Sequence, residues 1–98
     1  MAEVLSKSDR AGALARLKDW HETDGGKAIA KTFAFDDFSA AFGFMARVAL
    51  VAEKMDHHPD WSNSYDKVVV TLATHSAGGV TSSDIELAEA MNRIAATS

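Results

Sequence analysis

No cysteine occurs among the 98 residues, which rules out disulfides, thiolate metal ligands and any chemistry that needs a sulfur nucleophile. Nowhere do eighteen apolar residues run together, and the N-terminus has no basic flank leading into a long apolar stretch. A membrane span and a secretory leader are therefore not expected, and a cytoplasmic protein is. Positive charge is also short: ten basic residues against fourteen acidic ones leave a net charge of -4, with no electrostatic footprint for nucleic acid or an anionic membrane. Proline occurs once, at Pro59, and glycine six times, so low-complexity linkers and the disordered class are excluded as well. What remains is an ordinary folded composition, 47% hydrophobic and 24% charged, on a chain with room for one domain over residues 1–98.

Periodicity divides that domain into seven elements. Ser6 or Ser8 can cap a first helix through about Lys18, with Ala11, Leu14, Ala15 and Leu17 on one side. Asp24-Gly25-Gly26 supplies residues tolerant of positive φ at a hairpin turn, and the alternation that follows predicts Phe33 and Phe35 facing inward. Asp36-Asp37 opens the longest helix, whose apolar residues fall at Phe38, Ala41, Phe42, Met45, Val48, Ala49, Ala52 and Met55. Phe44 and Val51 lie off that stripe, which fits either a buried subunit contact or a broad contact with the sheet. Pro59 stops the helix near Met55 or Asp56. A second hairpin turns through Asp66-Lys67 into Val68–Thr74, and Thr81 with Asp84 marks the start of a last helix carrying Ile85, Ala88, Met91 and Ala95 on one face. The order helix, two strands, helix, two strands, helix predicts an α+β fold, a two-layer arrangement with a four-stranded antiparallel sheet and helices on one face.

Two of the four histidines sit side by side in Asp56-His57-His58-Pro59-Asp60-Trp61, at the exit of the longest helix. Adjacent side chains in an extended stretch point to opposite faces, so His57 and His58 are expected to do different work. Histidine titrates near neutrality and can take up one proton and deliver another. His75, at the end of the most β-prone strand, is the natural partner. Glu53, four residues before His57, would approach it if the helix continued, and Asp84 could orient His75 or His57. A lone histidine or carboxylate is more often structural or solvated, and His21 is left in that class. Ligand types alone would allow a metal held by His57, His58, His75 and Asp84 or Glu53. The adjacent pair lacks the i, i+4 spacing that puts two ligands on one helical face, so no metal is expected.

Glu53, Asp56-His57-His58-Pro59 with Trp61, Tyr65, Thr74-His75, and Gly79 followed by Asp84 form an ordered set. In that set, and in Trp20 after the first helix, the chain resembles the pterin-4a-carbinolamine dehydratase family across nearly its whole length. Ser83 departs from the basic residue that many members carry before the aspartate. The resemblance implies dehydration of 4a-hydroxytetrahydropterin (4a-hydroxytetrahydrobiopterin) to the quinonoid dihydropterin, which recycles tetrahydrobiopterin for aromatic amino acid hydroxylases, with no metal or organic cofactor. It implies His57 and His75 as the acid/base pair and His58 as a substrate contact. Asp56 and the Ala73-Thr74 edge would meet the pterin through backbone groups, with Glu53, Pro59 and Asp84 in support. It also implies a homo-oligomer, dimer or tetramer, and a hydroxylase as a partner. The competing reading is a non-catalytic oligomeric interaction protein that regulates a hydroxylase or a transcription factor.

Overall fold

A computed structural model describes residues 3–98. The elements run α1 (Lys7–Arg16), β1 (His21–Thr23), a single 3-10 turn (Asp24–Gly26), β2 (Ala28–Ala34), α2 (Phe38–Met55), β3 (Asp60–Ser64), β4 (Lys67–Leu72) and α3 (Ser82–Ala96). The strands form one sheet in the order β1-β2-β4-β3, with every neighbouring pair antiparallel. This is the expected α+β architecture. Along β4 burial alternates, with Val68, Val70 and Leu72 enclosed and Lys67 and Val69 exposed, so one face of the sheet carries the core and the other is open.

Local chemistry explains most boundaries. Ser6, not Ser8, caps α1, its hydroxyl accepting the Asp9 N–H at 3.0 Å. The helix stops at Arg16, two residues short of Lys18, because Leu17 turns to an extended conformation and is buried with Ala13, while Ala11 and Ala15 stay exposed. The first hairpin turns on positive φ at Asp24, Gly25 and Gly26. The second turns at Tyr65-Asp66, one residue earlier than the sequence suggested, with Tyr65 itself at φ 50° and Lys67 already in β4.

The face that α2 buries is the expected one at Ala41, Val48 and Ala52, but it is rotated toward Phe44 and away from Phe38 and Phe42. Its enclosed residues are Ala41, Phe44, Val48 and Ala52, whereas Phe38 and Phe42 pack on each other in the open and Leu50 is 74% exposed. Phe44, which lay beside the expected stripe, is apolar like Phe38 and Phe42 within it, so the pattern alone could not fix the rotation of the helix. Aromatic packing does: the Phe44 ring sits 4.7 Å from Phe33 and 5.0 Å from Phe35, which fixes α2 against β2.

Lys31 falls on the inward side of β2 between Ile29 and Phe33. Its ammonium lies 4.5 Å over the Phe33 ring and donates to the Lys18 carbonyl at 3.1 Å and Asn92 Oδ1 at 2.9 Å. Burial lowers its pKa from the ordinary value, Asp19 opposes that shift and Lys18 adds to it. Asn92 Oδ1 also accepts the Trp20 indole N–H at 3.0 Å, so one amide ties α3 to β2 and to the segment between α1 and β1. Asn92→Ala removes the shared acceptor and is expected to cost about 1–3 kcal/mol in denaturant unfolding. An unchanged midpoint would contradict that role.

Candidate active site

Pro59 stops α2, but Asp56 sets the geometry of its exit. Asp56 takes the left-handed conformation at φ 53°, its N–H donating to the Ala52 and Glu53 carbonyls, and the His57 N–H also donates to Ala52, at 3.0 Å. The Asp56 amide is therefore committed to closing the helix, which leaves its carbonyl and carboxylate free to meet a ligand. A left-handed non-glycine residue is strained. Asp56→Gly should leave stability equal or higher, and Asp56→Val should cost about 1–2 kcal/mol; equal unfolding midpoints for the two variants would rule out the strain.

Past this reversal the two histidines diverge, as their adjacency requires. His57 turns inward: Nε2 lies 2.5 Å from Asp84 Oδ1, with the His57 side chain 14% exposed and Asp84 fully buried. His58 turns outward, with Nε2 2.9 Å from Glu53 Oε1. Glu53 thus meets His58 instead of His57, because the left-handed residue between them ends the helical register on which the i, i+4 expectation relied.

Asp84 is the third residue of α3, and its placement follows from helix capping. Its Oδ2 accepts the Thr81 backbone N–H at 2.9 Å, the carboxylate half of a capping box. The same oxygen accepts the Thr74 hydroxyl at 2.8 Å, and the Thr74 and Thr81 hydroxyls are 2.7 Å apart. Thr74 also closes the loop before α3, its N–H donating to the Gly79 carbonyl at 2.8 Å while its carbonyl accepts from Ala77 and Gly78. Its backbone is taken up by that turn. Of the expected Ala73-Thr74 edge, only Ala73 keeps backbone groups outside the turn's hydrogen bonds.

Next in sequence, His75 is 82% exposed and its Nε2 lies 3.3 Å from Asp60 Oδ2. Asp60 was not among the expected site residues. The signal was available in the hairpin: β3 begins at Asp60 directly after Pro59, and the register pairs Asp60 with Thr71 on β4, close to where that strand delivers His75. A cavity of about 460 Å³ opens here, lined by Ala73, Thr74, His75, Asp60, Asp24 and Lys27 among others. Asp56, His57 and His58 are outside this lining, and His57 connects to it through Asp84 and Thr74.

A larger cavity of about 570 Å³ lies between α1 and α3, lined by residues such as Asp9, Arg16, Glu86 and Glu89. It holds no histidine and no buried acid, so its size does not make it the reactive site. His57, His58 and His75 each face a different carboxylate. Among the described residues no three His, Asp or Glu side chains gather as a metal-holding group. The arrangement instead offers one enclosed imidazole–carboxylate pair and one open pair on a cavity wall, joined through Thr74, a set suited to moving protons at neutral pH.

Comparison with known proteins agrees with this architecture. The family model for pterin 4 alpha carbinolamine dehydratase matches residues 3–94. A Bradyrhizobium sp. (strain ORS 278) protein bearing a pterin-4-alpha-carbinolamine dehydratase name is 62% identical over 96 residues, 98% of this chain and 96% of that protein. A Nitrobacter hamburgensis protein of the same name is 63% identical over 95 residues, 97% of this chain and 94% of its own length. The crystal structure of a transcriptional coactivator/pterin dehydratase from Brucella melitensis superposes with a TM-score of 0.93 at 55% identity, covering 95% of this chain and 99% of that one. The chain therefore belongs to the pterin 4 alpha carbinolamine dehydratase family, whose enzymes are hydro-lyases.

Proposed function

We propose that the chain dehydrates 4a-hydroxytetrahydropterin, with 4a-hydroxytetrahydrobiopterin as its form, to the quinonoid dihydropterin. The observation that carries this reading is the pairing of His57 with buried Asp84 on one side of Thr74 and the placement of His75 on the cavity wall at the other. The reaction needs two proton movements. One imidazole removes the N5 proton, whose electron pair forms the N5–C4a double bond, and the other protonates the 4a-hydroxyl as the C4a–O bond breaks and water leaves. His57 and His75 are that acid/base pair, and the atoms balance with no cofactor. His58, held by Glu53, orients the ring, Ala73 and Thr74 line the cavity, and Asp56 beside the histidines meets the ring through its carbonyl. Pro59 supports the turn that releases the histidines from α2.

The product suits recycling of tetrahydrobiopterin in the cytoplasm beside an aromatic amino acid hydroxylase. Among the described residues no helix is long and apolar enough to cross a membrane. The open stripe of Phe38, Phe42 and Leu50 on α2 favours assembly into a dimer or tetramer. That stripe also favours a second reading, a non-catalytic oligomeric protein that regulates a hydroxylase or a transcription factor, in keeping with the coactivator description of the Brucella melitensis structure.

Titration of the labelled chain with a stable dihydropterin separates the sites. Shifts at residues 56–58 and 73–75 are expected. Shifts confined to the α1–α3 groove would contradict the proposal.

A further inference from the structure

Three histidines meet carboxylates, and all three do so through Nε2: His57 with Asp84, His58 with Glu53 and His75 with Asp60. Only the first pair is enclosed. Asp84 and Thr81 are both fully buried, and no buried side-chain nitrogen or oxygen among the described residues lacks a partner. The hydrogen bonds around Asp84 also have a direction. A backbone N–H can only donate, so Thr81 N–H fills part of Oδ2. Thr74 has one hydroxyl proton and gives it to the same oxygen, which leaves the Thr81 hydroxyl to donate to Thr74. Both positions on Oδ2 are thereby taken by fixed donors. Oδ1 is left aimed at His57 Nε2 at 2.5 Å.

We infer that the Thr81 and Thr74 hydroxyls and the Asp84 carboxylate form a positioning relay that holds neutral His57 with its proton on Nε2, so that Nδ1 is the atom that exchanges a proton with substrate. The inference rests on the reading of His57 as an acid/base group. An imidazole whose Nε2–H is donated to a carboxylate keeps its basic lone pair on the other nitrogen. His57 Nδ1 has no protein hydrogen-bond partner among the described residues. The backbone hydrogen bond from His57 N–H to Ala52 anchors the main chain, so the residue is held at its backbone and at Nε2.

Thr74 has a second duty in this arrangement. Its side chain fixes Asp84, and therefore His57, while its backbone closes the turn that carries His75. One residue thereby sets the spacing of the two imidazoles. Thr74 and Thr81 act through Asp84 and touch no reacting atom, so they are positioning residues.

The test is long-range 1H–15N correlation spectroscopy on the labelled full chain, at a pH where the His57 ring is neutral, together with steady-state kinetics. In the wild type, His57 Nε2 should carry the proton and Nδ1 should show the unprotonated resonance. Thr74→Val keeps the branched shape without the hydroxyl. It should give a mixture of the two tautomers and lower kcat about tenfold, the equivalent of one hydrogen bond, with little change in KM. Thr74→Ser should restore both signatures, which a purely structural role for the methyl group would not do. A proton on Nδ1 in the wild-type spectrum overturns the relay while leaving His57 as an acid/base group. So does a Thr74→Val variant with unmixed tautomer and wild-type kcat. A fully active His57→Ala variant overturns the acid/base reading itself, and with it Nδ1 as the transferring atom.

Discussion

Replacing His57 with alanine is expected to lower kcat for carbinolamine dehydration by about 10²–10⁴, the usual contribution of a positioned general acid or base. His75→Ala should fall in the same range, because the reaction removes one proton and delivers another and each imidazole serves one of those steps. The double variant should lose less than the product of the two single effects, since groups that act as a unit are not additive. The two single variants differ in what else they disturb. His57 partners a buried carboxylate, so its removal also perturbs the fold, whereas His75 is 82% exposed and its loss should leave the unfolding midpoint unchanged. His75→Ala is therefore the cleaner kinetic probe. Loss of absorbance from freshly generated 4a-hydroxytetrahydropterin measures both, and wild-type rates in both variants would remove the acid/base assignment.

Asp84→Ala should be the most damaging single change to stability among the site residues, at about 3–5 kcal/mol. The carboxylate is fully buried and satisfies the His57 imidazole, the Thr74 hydroxyl and the Thr81 backbone N–H. Truncation strands all three, and the Thr81 N–H, one of the unpaired donors at the start of α3, also loses its cap. In a chain of this size the lower bound corresponds to a drop in Tm of more than about 10 °C. Calorimetry on the variant checks it. A shift of a degree or two would mean that water replaces the carboxylate and that the network is not closed.

How much of this was legible before the structure depends on how local the cause is. Asp37 caps α2 through its side chain, Thr81 and Asp84 start α3, and the Asp-Gly-Gly turn takes positive φ. Each follows from chemistry within three or four residues. The exit of α2 was legible only in part. Pro59 announced the stop, but nothing in the residue types marked Asp56 as left-handed, and that one dihedral moved Glu53 from His57 to His58. Asp84 was expected to serve either His57 or His75, and only the packing of α3 beside the end of α2 selects His57. Asp60 escaped because its pairing with His75 depends on hairpin register, a two-strand property. Periodicity placed Ala41, Val48 and Ala52 on the buried face of α2 but not Phe44 in place of Phe38 and Phe42, because all three phenylalanines are apolar at nearby angles. Contacts within a turn could be read from the chain, while those between elements needed the fold.

The most direct test of the account is the dehydration itself. A hydroxylase generates 4a-hydroxytetrahydropterin, and its decay is followed by absorbance with and without the wild-type chain. Faster, saturable decay that His75→Ala slows by about 10²–10⁴ is the expected result. Decay at the uncatalysed rate with folded wild-type protein present would contradict it.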